Sequence, residues 1–231
     1  MFLYWLDQYY LFLVIPAMLV AVWAQIRVNT VYNRYNQLHN ARGLTAAMVA
    51  RGILDQNGLQ DVAIERVAGH LTDHFDPRQG VIRLSDSTYN STSVGAIGVA
   101  AHECGHAVQY AQNYFPIKIR AFLIPVTNIG SNLGIPLAIL GIAFGWPILM
   151  DVGILLFLAV VIFQLVTLPV EFNASSRALA TLESECILDG EELRGAKRVL
   201  SAAALTYVAA LIVAVANLLR LLLLRNRNDR R

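Results

Sequence analysis

The stretch AFLIPVTNIGSNLGIPLAILGIAFGWPILMDVGILLFLAVVIFQLVTLPV, residues 121–170, decides what kind of fold this chain can adopt. Its fifty positions carry one charge, Asp151. A helix needs about 20 mostly apolar residues to cross a bilayer, so the stretch is too long for one crossing and long enough for two. Gly145-Trp146-Pro147 supplies the turn between them. Asp151, costly inside lipid, lies beside that turn and is expected in solvent. Working outward, residues 2–24 form another apolar run, with Trp5, Tyr9, Tyr10 and Trp23 towards its ends as in an interfacial belt. No Lys or Arg precedes this run, as a cleaved signal would require, so it reads as an uncleaved anchor. Residues 201–224 are apolar apart from Arg220 and lead into a basic tail at 225–231. None of these runs has the polar face of a soluble helix. Four membrane-spanning helices are expected.

The composition agrees. Of 231 residues, 56% are hydrophobic and 15% charged, against roughly a quarter charged in soluble domains. That deficit, with a mean hydropathy of +0.51, argues against a free soluble enzyme and a disordered chain. A net charge of +2 gives nothing to hold a polyanion, so no nucleic-acid partner is expected. Cys104 and Cys186 are too few for a disulfide framework and are expected as free thiols.

Most of the remaining charge lies in residues 25–120, which read as a small α+β domain. Thr45 can cap a helix that Gly58 terminates after Asn57. Val62, Ile64 and Val67 mark a short strand over residues 61–67. Asp76-Pro77-Arg78-Gln79-Gly80 is turn chemistry, and residues 81–84 alternate as a half-buried strand. Ser91, Thr92 or Ser93 then caps a helix holding Val94, Ile97, Ala101 and Val108. His39 has no partner pattern and reads as a surface residue.

That helix carries His102-Glu103-Cys104-Gly105-His106, an HExxH pattern. Histidines at i and i+4 share one helical face, so both imidazoles can reach one metal ion. Glu103 is displaced about 100° around the helix. It can reach a metal-bound water without ligating, and can take the proton of a water that zinc has acidified. Cys104 points about 200° from His102 and is not counted as a ligand. A catalytic zinc site has three protein ligands. His70, His74, Asp76, Glu171, Glu183 and Glu185 are candidates for the third. Glu171 follows the apolar hairpin directly, and two crossings return it to the side that holds the histidines. Arg177 and Tyr110 are candidate oxyanion donors or interface anchors.

Beyond the HExxH pattern, Leu71-Thr-Asp-His-Phe-Asp-Pro-Arg78, Arg83-Leu-Ser85, Val99-Ala-Ala-His-Glu-Cys-Gly-His-Ala-Val-Gln109 and Leu168-Pro-Val-Glu-Phe-Asn-Ala-Ser-Ser-Arg-Ala-Leu179 together resemble the YugP-like neutral zinc metallopeptidases of bacteria. The resemblance spans nearly the whole chain. It extends more remotely to HtpX-like membrane zinc peptidases, where a glutamate after a transmembrane hairpin is the third ligand, a position that falls on Glu171. It implies a zincin-like catalytic domain, one Zn2+ ion held by His102, His106 and Glu171, and Glu103 as general base. The HtpX-like pattern has an aspartate four residues after that glutamate, where this chain has Ser175. Ser175, Asn173 and Asp76 are therefore candidates to support a zinc histidine. In the remote relatives the strand before the zinc helix binds substrate backbone, which implies that residues 80–84 can pair with a peptide.

The expected architecture is a mainly α membrane protein. An anchor occupies residues 2–24, the α+β domain 25–120 and the hairpin 121–170. A helix with the third ligand follows over 171–200, then a last span over 201–224. The expected function is a membrane-embedded zinc endopeptidase acting on peptide or protein substrates in or at the lipid bilayer. The alternatives are a non-enzymatic scaffold with a structural metal site and a zinc hydrolase of another bond. Nine Lys and Arg lie near the spans on the side of residues 25–120 and four on the other, which puts the catalytic side in the cytoplasm.

Overall fold

A computed structural model describes residues 7–229. Along the chain lie α1 (Tyr10–Tyr35, its first turn π-helical), α2 (Ala46–Gln56), β1 (Ala63–Val67), β2 (His74–Asp76) and β3 (Val81–Ser85). α3 (Val94–Ala111), α4 (Phe115–Phe144), α5 (Pro147–Ser184) and α6 (Gly190–Asp229) follow. Gly145 stands at φ +67° after α4, and Pro147 opens α5. A left-handed glycine ends a helix and a proline, lacking an N–H, starts one, so the chain reverses at the expected turn. α1, α4, α5 and α6 are each long and apolar enough to cross a membrane. Phe12, Phe122, Ile148 and Leu155 are exposed on them, a pattern that suits lipid and would be costly in water. The protein is a mainly α, multi-pass membrane protein with a small α+β part.

The elements divide into two units. The first comprises residues 7–25, 118–168 and 205–229. Side chains on Gly130, Gly141 or Gly153 would run into the backbone of the facing helix, so these glycines set how closely α4 and α5 pack. Ala138, Met150, Phe157, Ala214 and Leu221 form its core. Among the described residues, two ion pairs tie this unit together. Arg220, 1% exposed, places Nη2 2.7 Å from Asp7 Oδ2 and its guanidinium over the Tyr10 ring. Asp151 is exposed as expected, and it also pairs with Arg225 of the basic tail at 2.6 Å.

The second unit comprises residues 26–117 and 169–204. Thr45 caps α2 by accepting from Met48 N at 3.3 Å, and Gly58 follows it at φ +73°. The three strands are ordered β1-β3-β2, with β1 parallel and β2 antiparallel to β3. Ile82 and Leu84 point into a core shared with Ile53 and Leu54 of α2 and Ile97 and Ala101 of α3. On the other face Asp73 accepts from Ser85 N at 2.8 Å, Ser85 Oγ at 3.0 Å and Thr88 Oγ1 at 3.2 Å. Arg83 pairs with Glu65 of β1 and Asp76 of β2, both at 3.2 Å.

Four expectations need correction. β3 is central and buried on both faces, not half-buried, and both its edges are already paired, so it cannot receive a peptide strand. The strand that occupies one of those edges, β2, is only three residues long, too short for a period-2 pattern to announce it. Residues 171–200 are not one helix. α5 runs unbroken from the apolar hairpin through Glu171 to Ser184, and the chain turns through 185–189, with Cys186 at φ 52°. α6 then starts at Gly190 and continues through the last span. Likewise α1 extends to Tyr35, past the expected end at residue 24, while residues 2–6 lie outside the described part.

Candidate metal centre

Ser93 caps α3: its Oγ accepts from Ala96 N at 3.2 Å, satisfying one of the N–H groups that a helix start leaves open. Two turns on, His102 and His106 stand one above the other, ring centroids 4.7 Å apart. Gly105 between them sets the approach of α5: a Cβ at this position would lie 2.6 Å from Ala174 O. The backbones therefore meet where no side chain intervenes. Glu171, three residues before Ala174, is carried against the histidines. Its Oε2 lies 3.2 Å from His102 Nε2 and 3.5 Å from His106 Nε2.

The ligand atoms of His102, His106 and Glu171 all lie within 4.8 Å of one another. The outer imidazole nitrogens are also engaged. His106 Nδ1 lies 3.0 Å from Gln109 Oε1, and His102 Nδ1 lies 3.1 Å from Ser175 Oγ. Gln109 Nε2 donates to Val170 O at 2.8 Å and to Asn173 Oδ1 at 3.0 Å. Arg177 Nε donates to the same Asn173 oxygen at 2.7 Å.

The site calls for positive charge. Burial opposes charging His106. However, the Glu171 carboxylate, the Glu103 charge and the Gln109 oxygen, all of which favour the charged ring, together outweigh it, raising the imidazole above its ordinary value. Two imidazole nitrogens and one carboxylate are also the donor types zinc takes, in the number a catalytic site uses. The residues fit a zinc ion.

The remaining candidates fall elsewhere. His70 and His74 are exposed, with His74 Nδ1 near Thr72 O. Asp76 accepts from Arg78 N at 2.9 Å and pairs with Arg83. Glu183 is exposed, and Glu185 accepts from Gln56. Cys104 is buried and donates to Ala50 O, on the side turned towards α2. Burial pushes its thiol well above the usual range, so it stays protonated. Glu103 is outside the ligand group, and its Oε2 accepts from Phe75 N at 3.0 Å. Arg177 is engaged by Asn173, Gln112 and the Tyr114 ring, and Tyr110 packs edge-on against Phe75. His39 is exposed, 2.8 Å from Thr92 Oγ1.

Among the three supporting candidates, Ser175 reaches His102 directly, Asn173 stands behind Gln109 and Asp76 ends β2, paired with Arg83. Gln109 itself was not anticipated. The available signal was its position three residues after His106, where helix geometry brings side chains together.

A family model described as "Putative neutral zinc metallopeptidase" matches residues 10–226. The chain is also 46% identical over 215 residues to the "Putative membrane protease YugP" of Bacillus subtilis (strain 168), covering 93% of this chain and 96% of that protein. No solved structure matches it. With a two-histidine, one-glutamate cluster of the composition a zinc peptidase needs, and a match along almost its full length, the chain belongs to the family of putative neutral zinc metallopeptidases.

Proposed function

We propose that the protein is a membrane-embedded zinc endopeptidase, with His102, His106 and Glu171 as metal ligands and Glu103 as general base. The observation that carries this reading is the convergence of three ligand atoms from two helices, with a second acidic residue, Glu103, next to His102 in sequence and outside the set. A bound zinc ion supplies a Lewis acid that polarises the scissile carbonyl and makes water nucleophilic near neutral pH.

The chain's own residues do the rest. Glu103 takes a proton from the attacking water at its carboxylate and returns it to the leaving amine nitrogen. The Phe75 N–H holds that carboxylate in place on its helix. Ser175 and Gln109 orient the two imidazoles. Three ligands rather than four support a site with an open position over a closed structural one. The substrate class is peptide or protein, including membrane proteins. The charge imbalance about the spans puts the site on the cytoplasmic side.

The test uses full-length protein in detergent. Glu103→Gln is expected to retain zinc while cleavage of an unfolded polypeptide falls by about 10²–10⁴-fold, the usual contribution of a general base. Equal cleavage by wild type and variant would sink the mechanism. Glu171→Ala should lose zinc, and zinc retained at wild-type stoichiometry would remove Glu171 from the ligand set. For orientation, a cysteine introduced in the tail and labelled only from the cytoplasm would overturn the cytoplasmic site.

A further inference from the structure

We infer that Gln109 is the positioning residue of the centre: it commits His106 to one tautomer and at the same time holds Glu171 in place. The inference deepens the metal-site reading above and rests on it. Both His106 nitrogens face an oxygen, Gln109 Oε1 at 3.0 Å and Glu171 Oε2 at 3.5 Å, and the Gln109 contact is the one with hydrogen-bond geometry.

Val170 O is a backbone carbonyl and can only accept, so the Gln109 atom 2.8 Å from it is the amide nitrogen. Arg177 can only donate, so the Asn173 atom 2.7 Å from its Nε is the amide oxygen. That oxygen accepts from Gln109 Nε2 as well, at 3.0 Å. Two independent partners therefore orient the Gln109 amide, a group whose oxygen and nitrogen are otherwise assigned by network logic. Its Oε1 must face His106 Nδ1, 3.0 Å away, and can only accept there. His106 in its neutral form thus carries its proton on Nδ1. Its Nε2, the atom facing Glu171, is left with the lone pair that ligates a metal.

The same side chain acts on the second ligand. Gln109 grips α5 at residues 170 and 173, on either side of Glu171, and is fully buried. The other histidine is held differently. Ser175 Oγ can either accept or donate, so it does not choose a tautomer for His102. The two ligand histidines are therefore unequal: one is committed by an amide locked through Asn173 and Arg177, the other is oriented by a hydroxyl that can rotate.

The test reads the imidazole directly. Full-length protein labelled with 15N-histidine is examined in detergent with chelator present, at a pH alkaline enough to keep the rings neutral. His106 is assigned by loss of its signals in His106→Gln. The wild-type ring is expected protonated on Nδ1. In Gln109→Leu it should shift towards the Nε2-protonated form, and in Gln109→Glu, which keeps an acceptor, it should stay on Nδ1. Zinc affinity, measured by chelator competition, should fall by about 10–100-fold in Gln109→Leu, and should fall in Gln109→Glu as well, which keeps the acceptor for His106 but loses the N–H that holds Val170 and Asn173. An Nε2-protonated His106 in wild type would overturn the inference. So would a Gln109→Leu variant that keeps both the wild-type tautomer and the wild-type affinity. If wild type binds no zinc, the metal reading fails, but the tautomer spectra still decide the role of Gln109. If Gln109→Leu does not fold, the wild-type ring and Gln109→Glu decide it.

Discussion

At the residue scale, Gly105 shows how a helix position can serve a site without touching it. A Cβ there would meet Ala174 O at 2.6 Å, backbone against a helix that cannot yield locally. Gly105→Ala should therefore separate α3 from α5, with an overpacking cost of roughly 1–3 kcal/mol that exceeds the helix-propensity gain of about 1 kcal/mol. Zinc affinity should fall along with the melting temperature, because Glu171 moves with α5. Gly52 in α2 is the control. Nothing lies within 4 Å of a Cβ built there, so Gly52→Ala should stabilise by about 0.5–1 kcal/mol. A lower melting temperature for Gly52→Ala would contradict this account of the two glycines. Ser175→Asp should raise zinc affinity above wild type, since a carboxylate accepts from His102 Nδ1 more strongly than a hydroxyl does. Chelator competition reads the change, and an affinity below wild type would mean that Ser175 does not set the orientation of His102.

At the element scale, the turn and loop ends of the sheet are held by carboxylates. Asp76 lies below its ordinary value through the Arg78 N–H and the Arg83 guanidinium. Asp86 is lowered by Arg66 and the Gly69 N–H. A carboxylate held lower in the folded protein than in the unfolded chain adds stability above the ordinary carboxylate range. That contribution is lost as pH falls through the lowered value. Asp76→Asn and Asp86→Asn should therefore flatten the acid limb of melting temperature against pH, and an unchanged limb in both would remove these carboxylates from the acid response.

Legibility in the sequence also varies by element. The capped helices at Thr45 and Ser93, and the Gly145–Pro147 turn, depend on neighbours a few residues away and could be read directly. β2 could not. Three residues carry no periodicity, and this strand exists because β3 offers it an edge. For the same reason β3 reads as half-buried along the chain yet is enclosed on both sides in the fold.

At the scale of the whole molecule, the two ion pairs of the membrane unit should behave oppositely. Arg220 and Asp7 have side chains 1% and 10% exposed. Asp7→Ala leaves the buried guanidinium without that carboxylate and should cost roughly 3–5 kcal/mol, as breaking a buried pair does. The double replacement Asp7→Leu with Arg220→Met should recover much of the loss. Asp151, with its side chain 55% exposed, pairs with Arg225 at the surface, where such pairs are worth at most about 1 kcal/mol. Asp151→Asn should leave the melting temperature nearly unchanged. Equal losses from Asp7→Ala and Asp151→Asn would show that burial does not separate the two pairs.

The chain by itself determined that four of its segments are long and apolar enough to cross a membrane, because that depends on length and composition, both local quantities. It also determined that His102 and His106 can share an ion, since a spacing of four residues is enough on a helix. The resemblance to known peptidases points to Glu171, but only the tertiary structure shows what brings that acid to the histidines. Glu171 is 65 residues beyond His106, and its place rests on the contact of α3 with α5 at Gly105 and Ala174. Only the tertiary structure, too, showed that Gln109 stands behind His106 with its amide orientation settled. That orientation comes from Val170, Asn173 and Arg177 on a distant part of the chain. Hydrogen-bond direction is a property of partners, and no spacing along the sequence names them.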